Sequence, residues 1–470
     1  QADPNLSQTG PLAVATPGGL AAYSELASRC GNLPLKRLLR PGMIAARDGF
    51  RLDSNLAGSI KAHRKVLARY AGSQETFLNA DGSAPKAGEL LVQPTLAATY
   101  RNIAKHGPVW FYEGAFAERV GAWMAKHGGI LTAQDFADYR VKLREPVVST
   151  YRGRTVIGFP PPSSGGVHVA QVLNILENFD VKQTFEENPA DGICLVADAM
   201  KVAFADRAYW LGDSDFVRVP RGLTSKEYAR QLSAKVSPDK ASEVPSHGDP
   251  PRWRQDVFGR HTTHIAAADS EGYWVAITAT INTSLGSKVV VPGTGVVLNN
   301  MMDDFAIHPG TPNAFGLIGG QFNSIAGGKR PLSSMSPTIL LNEEKEPIMA
   351  LGCAGGPKII TQVLCAIVNT LDRGMSPEQA LSQPRYHHQW APDVLYVQDT
   401  MPSDIVDALR MKGHQVEPLS STGKVQIVSR DSQGKFDAVH DPHIKGKAAV
   451  VTAPTAEKAL PRRELQEAAP

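Results

Sequence analysis

The chain has 470 residues, of which 42% are hydrophobic and 20% charged, with a formal net charge of +3. That balance belongs to a soluble globular protein, with enough chain for one large domain or two to three ordinary ones. No basic block argues for nucleic acid or an anionic membrane surface, and no apolar run approaches the length of a transmembrane segment.

From the N-terminus, apolar residues at three-to-four spacing predict helices over 19–29, 54–70, 95–106, 116–127 and 190–210. Strand-like runs interrupt them at 147–151 and 154–159. Residues 236–260 hold four prolines (Pro238, Pro245, Pro250, Pro251), mixed charge and little periodicity, and read as a solvated, mobile connector. The character then changes to hairpins. Runs at 265–268 and 274–281 flank the turn Asp269-Ser270-Glu271-Gly272, and runs at 339–341 and 348–351 flank a charged turn. One clear helix follows over 358–371, where Ile359, Ile360, Val363, Leu364, Ile367, Val368 and Leu371 form an apolar stripe. Residues 453–470, rich in Ala, Pro, Glu and Arg, read as a disordered tail. Helices outside and sheets from both halves inside make a layered α/β body. Cys30, Cys194, Cys353 and Cys365 show no metal or redox spacing and read as small buried residues rather than disulfides. No signal peptide is visible at Gln1, which leaves the compartment open.

The hairpin after the connector begins at Thr262-Thr263-His264. With its turn centred near Glu271, Thr262 lies across from about Thr280. A threonine at the head of a strand, facing a second hydroxyl, suits a nucleophile whose own α-amine, freed by cleavage after His261, acts as the base. The same residues also suit a surface hairpin that starts with two good strand formers. Asn282, two positions beyond Thr280, would share its strand face. Gly355-Gly356 precedes the 358–371 helix and could leave backbone N–H groups free for an oxyanion; an ordinary helix-start loop is the alternative. A phosphate loop over 352–358 fails on spacing, with Ile359 where Ser or Thr should follow the lysine. His387-His388 resembles a metal pair, but neighbouring side chains on an extended segment point to opposite faces and no third ligand stands out.

Longer motifs set these residues in one context. Gly328-Lys329-Arg330-Pro331-Leu332-Ser333-Ser334-Met335-Ser336-Pro337 resembles the serine-pair motif of the γ-glutamyltranspeptidase family. So do Thr262-Thr263-His264, Leu298-Asn299-Asn300 with Met302-Asp303-Asp304-Phe305, and Pro309-Gly310-Thr311-Pro312-Asn313. The same family is resembled by Gly355-Gly356, by Pro384-Arg385-Tyr386-His387-His388-Gln389-Trp390, and upstream by Pro160 to Gly166 and Ala205-Asp206-Arg207. The resemblance runs from about Pro11 to about His443. It implies the four-layer αββα sandwich of N-terminal-nucleophile hydrolases, lacking its first N-terminal elements. A helix-rich large subunit (1–261) and a β-rich catalytic small subunit (262–470) would be released by cleavage between His261 and Thr262 and stay together as a heterodimer.

The resemblance also implies roles. Thr262 forms a γ-glutamyl acyl-enzyme, with Thr280, set opposite it by the hairpin count, to orient it, and Gly355 and Gly356 hold the oxyanion. Ser333 and Ser334 read the substrate carboxylate, Asn282 and Asp304 its ammonium, and Phe315 stands in a lid loop where relatives often carry tyrosine. Asp303 is structural. Met301 occupies a substrate-binding position where relatives carry Gln or Glu, and no counterpart of the family's carboxylate-holding arginine is visible. Cys353-Ala354 replaces a usual Ser-Pro. The implied activity is γ-glutamyl transfer from glutathione-like amides to water, an amino acid or a dipeptide, with no cofactor or metal, in the periplasm or outside the cell. Two rivals stand beside it: an acylase for other amides such as glutaryl-β-lactams, and an unprocessed homologue that only binds.

Overall fold

The computed structural model describes residues 3–251, 258 and 266–451. Thr262, its neighbours His261, Thr263 and His264, and the tail 453–470 lie outside the described residues.

A six-stranded antiparallel sheet forms the centre, in the order Phe436–His440, Lys424–Arg430, Pro347–Ala354, Thr338–Leu341, Arg154–Gly158, Val147–Tyr151. Strands from both sides of position 262 therefore share one ladder, joined where Thr155 faces Leu341 and Gly158 faces Thr338. The helices Gly165–Leu176 and Lys358–Leu371 lie side by side on one face, and Pro189–Trp210 packs over the first of them. On the sheet's other side the hairpin Ala267–Ala268/Trp274–Val275 packs against Pro347–Ala354, with the Trp274 ring 5.8 Å from that of Phe436. Helix Gly165–Leu176 is buried along its whole length. It approaches the sheet so closely that a Cβ on Gly158 would sit 2.8 Å from the Cα of Gly166, so both positions demand glycine.

The N-terminal helices build a second core around Phe111, Phe116 and Phe136, into which Val289, Val291 and Leu298 are inserted. Ser73 clamps the same stretch: its hydroxyl donates to the Lys288 carbonyl at 2.9 Å and accepts from the Val290 N–H at 2.8 Å. Asn299 and Asn300 reach back in turn. Asn299 brackets the backbone of Ala15, and Asn300 donates to the Gln8 carbonyl. The Leu298-Asn299-Asn300 motif thus fastens the N-terminal segment to the loop that enters the cavity.

Over residues 236–251 the connector is tied to buried side chains, where its composition suggests a mobile strap. The Ser242 N–H and hydroxyl both donate to buried Asp198, and the Ser242 carbonyl accepts from Lys201. The Gly248 N–H donates to Asp206, while Trp210 and Trp390 donate to the Gly248 and Val244 carbonyls. Proline content registers the irregular backbone. It does not register buried carboxylates on a helix that need N–H partners.

The strand expected over 274–281 is present only at Trp274–Val275, and residues 276–281 run on without strand pairing to the left-handed bend at Asn282. All four cysteines are free, and Cys194, Cys353 and Cys365 are buried.

Arg385 holds the Lys358–Leu371 helix to the sheet. Its guanidinium donates to Gln362 and the Leu381 carbonyl and pairs with Asp441 at 3.2 Å, and Asp441 accepts the Val425 N–H at 2.9 Å. Asp441 is fully buried. Removing one partner of such a pair leaves an uncompensated buried charge, so Asp441→Ala should lower the unfolding free energy by about 3–5 kcal/mol in a denaturant titration. A loss under about 1 kcal/mol would show that the clamp is dispensable.

Candidate active site

Thr280, Asn282, Asp304, Phe315, Ser333, Ser334, Gly355 and Gly356 line a single cavity, together with Thr278, Leu317 and Ile359. They arrive from five separate stretches of chain, each placed by its own local bonds.

Asn282 has a left-handed backbone, φ 76°, where asparagine is tolerated among non-glycine residues. It shares the cavity with Thr280 through this bend rather than by continuing a strand face. Its N–H donates to the Thr280 hydroxyl oxygen at 2.8 Å, which leaves the Thr280 proton free to be donated elsewhere. Its side-chain amide donates to the Asn300 carbonyl at 3.0 Å and hydrogen-bonds Asp304. Asp304 closes the 3-10 turn Met301–Asp304 and is half-buried. Burial pushes its carboxyl up to about 7; the Arg207 guanidinium pulls down, the Asp303 charge adds to the rise, and the Asn282 hydrogen bond lowers it. Asp303 faces away, accepting from the Ser7 hydroxyl at 2.7 Å and the Ala314 N–H at 2.9 Å, so it ties the N-terminus to the loop carrying Phe315. Met301 starts the same turn, half-buried, and is absent from the cavity wall.

The loop through Phe315 folds on Asn313, whose side-chain oxygen accepts the N–H groups of Phe315 and Leu317. The Phe315 ring lies on Gly356, where a Cβ would stand 2.7 Å from it. Gly355 and Gly356 adopt φ 144° and 62° at the mouth of the Lys358–Leu371 helix, and neither N–H donates to another described residue. Two N–H groups left open at a helix N-terminus can receive developing negative charge.

The serine pair is held by motifs from far upstream. The Ser333 N–H donates to the Pro162 carbonyl, and its own carbonyl accepts both the N–H and the hydroxyl of Ser164, at 2.8 and 2.9 Å. Ser163 donates to the Met335 carbonyl at 2.6 Å. Arg207, buried in the last turn of Pro189–Trp210, donates to the Ser164 hydroxyl at 3.1 Å and the Ser334 hydroxyl at 3.4 Å. An arginine therefore does stand behind the serine pair. Sequence reasoning passed over it because Ala205-Asp206-Arg207 lies more than a hundred residues upstream; its place in a quoted motif was the available signal.

His387 and His388 are committed to protein partners on different sides. His387 bonds Thr361 and Gln389, each at 2.9 Å, and burial drives it down to about 3; His388 bonds Asp393 at 3.2 Å.

The profile of the Gamma-glutamyltranspeptidase family matches residues 1–451. The glutathione hydrolase proenzyme of Escherichia coli strain K12 is 40% identical over 442 residues, spanning 94% of this chain and 75% of that protein. The Acylase ACY 1 proenzyme of Pseudomonas sp. strain SE83 is 37% identical over 411 residues, 87% of this chain and 69% of that one. The solved structure of cephalosporin acylase from Bacillus halodurans matches with a TM-score of 0.81 at 29% identity, covering 95% of this chain and 80% of its own. With the shared layered fold and the site motifs in place, these matches establish that the chain belongs to the γ-glutamyltranspeptidase family of N-terminal-nucleophile hydrolases.

Proposed function

We propose that this chain is a self-processing γ-glutamyltranspeptidase and glutathione hydrolase that cleaves itself between His261 and Thr262. The observation that carries the reading is the convergence of eight expected site residues on one cavity. The hairpin register supports the place of the nucleophile. Ala267 faces Val275 and Ala268 faces Trp274, and the reading that sets Thr262 across from Thr280 takes the same count beyond these two pairs.

In this reading the Thr262 hydroxyl attacks the His261 carbonyl, the C–N bond breaks to free the Thr262 amine as the acyl group passes to the hydroxyl oxygen, and water hydrolyses that ester to give the His261 carboxylate and restore the Thr262 hydroxyl. In each later turnover that amine takes the hydroxyl proton as the oxygen attacks the γ-carbonyl of the donor. Negative charge collects on the carbonyl oxygen, facing the Gly355 and Gly356 N–H groups. The intermediate expels the amine leaving group with the proton and leaves a γ-glutamyl ester on Thr262. Water or an acceptor amine then attacks that ester and regenerates the hydroxyl. Asp304 and Asn282 receive the donor ammonium, and Ser333 and Ser334 its carboxylate. The two fragments stay together as a heterodimer, and an extracytoplasmic location belongs to the same proposal. Glutaryl amide hydrolysis is the second reading, favoured by the acylase-named relatives.

Processing should give fragments of about 28 and 22 kDa, the 50.5 kDa chain divided in proportion to the residues on each side of the bond. Thr262→Ala should remain a single band on a denaturing gel. N-terminal sequencing of the smaller fragment checks the site, and any start other than Thr262 sinks the assignment.

Thr280→Ala should slow both maturation and kcat by roughly ten- to a hundredfold, the value of about 1–3 kcal/mol for one hydrogen bond to a reacting group. Unchanged maturation and kcat would mean that the hairpin register does not carry on to Thr280.

Asp304 must be ionised to hold an ammonium. With its carboxyl at about 7, kcat/KM for a γ-glutamyl anilide should rise as pH passes through about 7 and level off above it. A glutaryl anilide uses the same nucleophile and amine base but carries no ammonium. The ratio of the two profiles therefore isolates Asp304, and a ratio that stays flat across neutrality would exclude it as the ammonium reader.

A further inference from the structure

We propose that Arg207, which does not touch the cavity, is the positioning residue that makes the serine pair a carboxylate reader and so confines the enzyme to acyl donors whose chain ends in a carboxylate. This rests on the reading of Ser333 and Ser334 given above and adds the device that selects the substrate class.

Both arginine bonds lead to the serine pair. One ends on the Ser334 hydroxyl; the other ends on the Ser164 hydroxyl, which itself donates to the Ser333 carbonyl. The polarity of these bonds decides what the pair can bind. A guanidinium can only donate, so the Ser334 oxygen accepts from it and the Ser334 proton is left for another acceptor. The Ser333 oxygen likewise accepts from the Met335 N–H at 3.3 Å, which leaves its proton free in the same way. Two hydroxyls that each accept one protein hydrogen bond keep their protons for the cavity, and donors suit an anion.

The charge behind them has the same sign of preference. Arg207 is 4% exposed and makes no ion pair within 4 Å among the described residues. Its sequence neighbour Asp206 is turned to Gln171, Tyr228 and the Gly248 N–H. His168, whose ring lies beside Phe204 at 4.7 Å, is fully buried and kept neutral, so it offsets nothing. The carboxylate that does act on Arg207 is Asp304, itself on the cavity wall. A buried cation is costly to maintain without a partner. Here its field falls on the serine pair, where a donor carboxylate would supply the missing negative charge.

Three anilides test this: γ-glutamyl and glutaryl, which both carry the carboxylate, and 4-aminobutyryl, which lacks it. Assayed well above pH 7, where Asp304 stays ionised, Arg207→Gln should raise KM for the first two by about tenfold or more while kcat changes less than about threefold, and should leave kcat/KM for 4-aminobutyryl within about threefold of wild type. Arg207→Lys keeps the charge but not the fork, and should fall between wild type and Arg207→Gln on the two carboxylate donors only. In a Ser334→Ala background the Arg207→Lys change should add little further loss. Equal losses on all three anilides, an unchanged KM for the carboxylate donors, or failure of Arg207→Lys to mature would each overturn the proposal in favour of a purely structural arginine. The proposal does not depend on whether wild type prefers the γ-glutamyl or the glutaryl anilide. Wild-type inactivity on both would instead overturn the functional reading itself.

Discussion

The pairing of Arg154–Gly158 with Thr338–Leu341 is the contact on which the rest of the molecule depends. It joins chain from either side of position 262 in one sheet, and the largest core cluster draws on both sides in the same way, from Val156 and Val167 to Leu340 and Ile360. Backbone bonds in a ladder and apolar side chains in a common core do not require continuity of the chain between them. A protein that cuts its own backbone at the edge of its active site needs such an arrangement, since everything that aligns the site must survive the cut. The proposed cleavage and the observed topology are consistent on that point.

A second constraint lies at the inner end of the Pro189–Trp210 helix, where polar groups are buried far from water. Asp198 and Lys201 hold Ser242, Asp206 holds Gly248, and Arg207 holds Ser164 and Ser334. Each is expensive to bury and hydrogen-bonds a group from another part of the chain. One helix therefore fixes both the connector leading toward the cleavage point and the serine pair of the cavity. That accounts for Ala205-Asp206-Arg207 belonging among the family-like motifs although none of the three residues lines the cavity.

Sequence periodicity revealed those elements that have one wet and one dry face. The 358–371 helix coincides with its apolar stripe, and the helices at Gly19–Cys30 and Pro94–His106 differ from expectation by one residue at an end. Helix Gly165–Leu176 gave no such signal because all its faces are buried, which removes the amphipathic contrast. Leu35–Asp48 carries Pro41-Gly42 inside it, a pair that reads as a break. Strand Lys424–Arg430 mixes polar and apolar residues, and its place follows from Pro347–Ala354 beside it, a long-range fact. Within the site, Asp304, the serine pair and the glycine pair were legible from motifs, Thr280 and Asn282 from counting along the hairpin, and all share a cavity, whereas Met301 lies off its wall. The arginine behind Ser334 was hidden by its distance in sequence, since geometry alone brings residues 207 and 334 together.

The central claim is that acyl transfer passes through the hydroxyl of Thr262. Matured protein turning over a γ-glutamyl anilide, quenched in acid and digested, would give the most direct reading by peptide mass mapping. The account predicts a γ-glutamyl ester on the peptide that begins at Thr262, labile to hydroxylamine. Turnover accompanied by an ester on any other residue, or by no trapped ester at all, would contradict it.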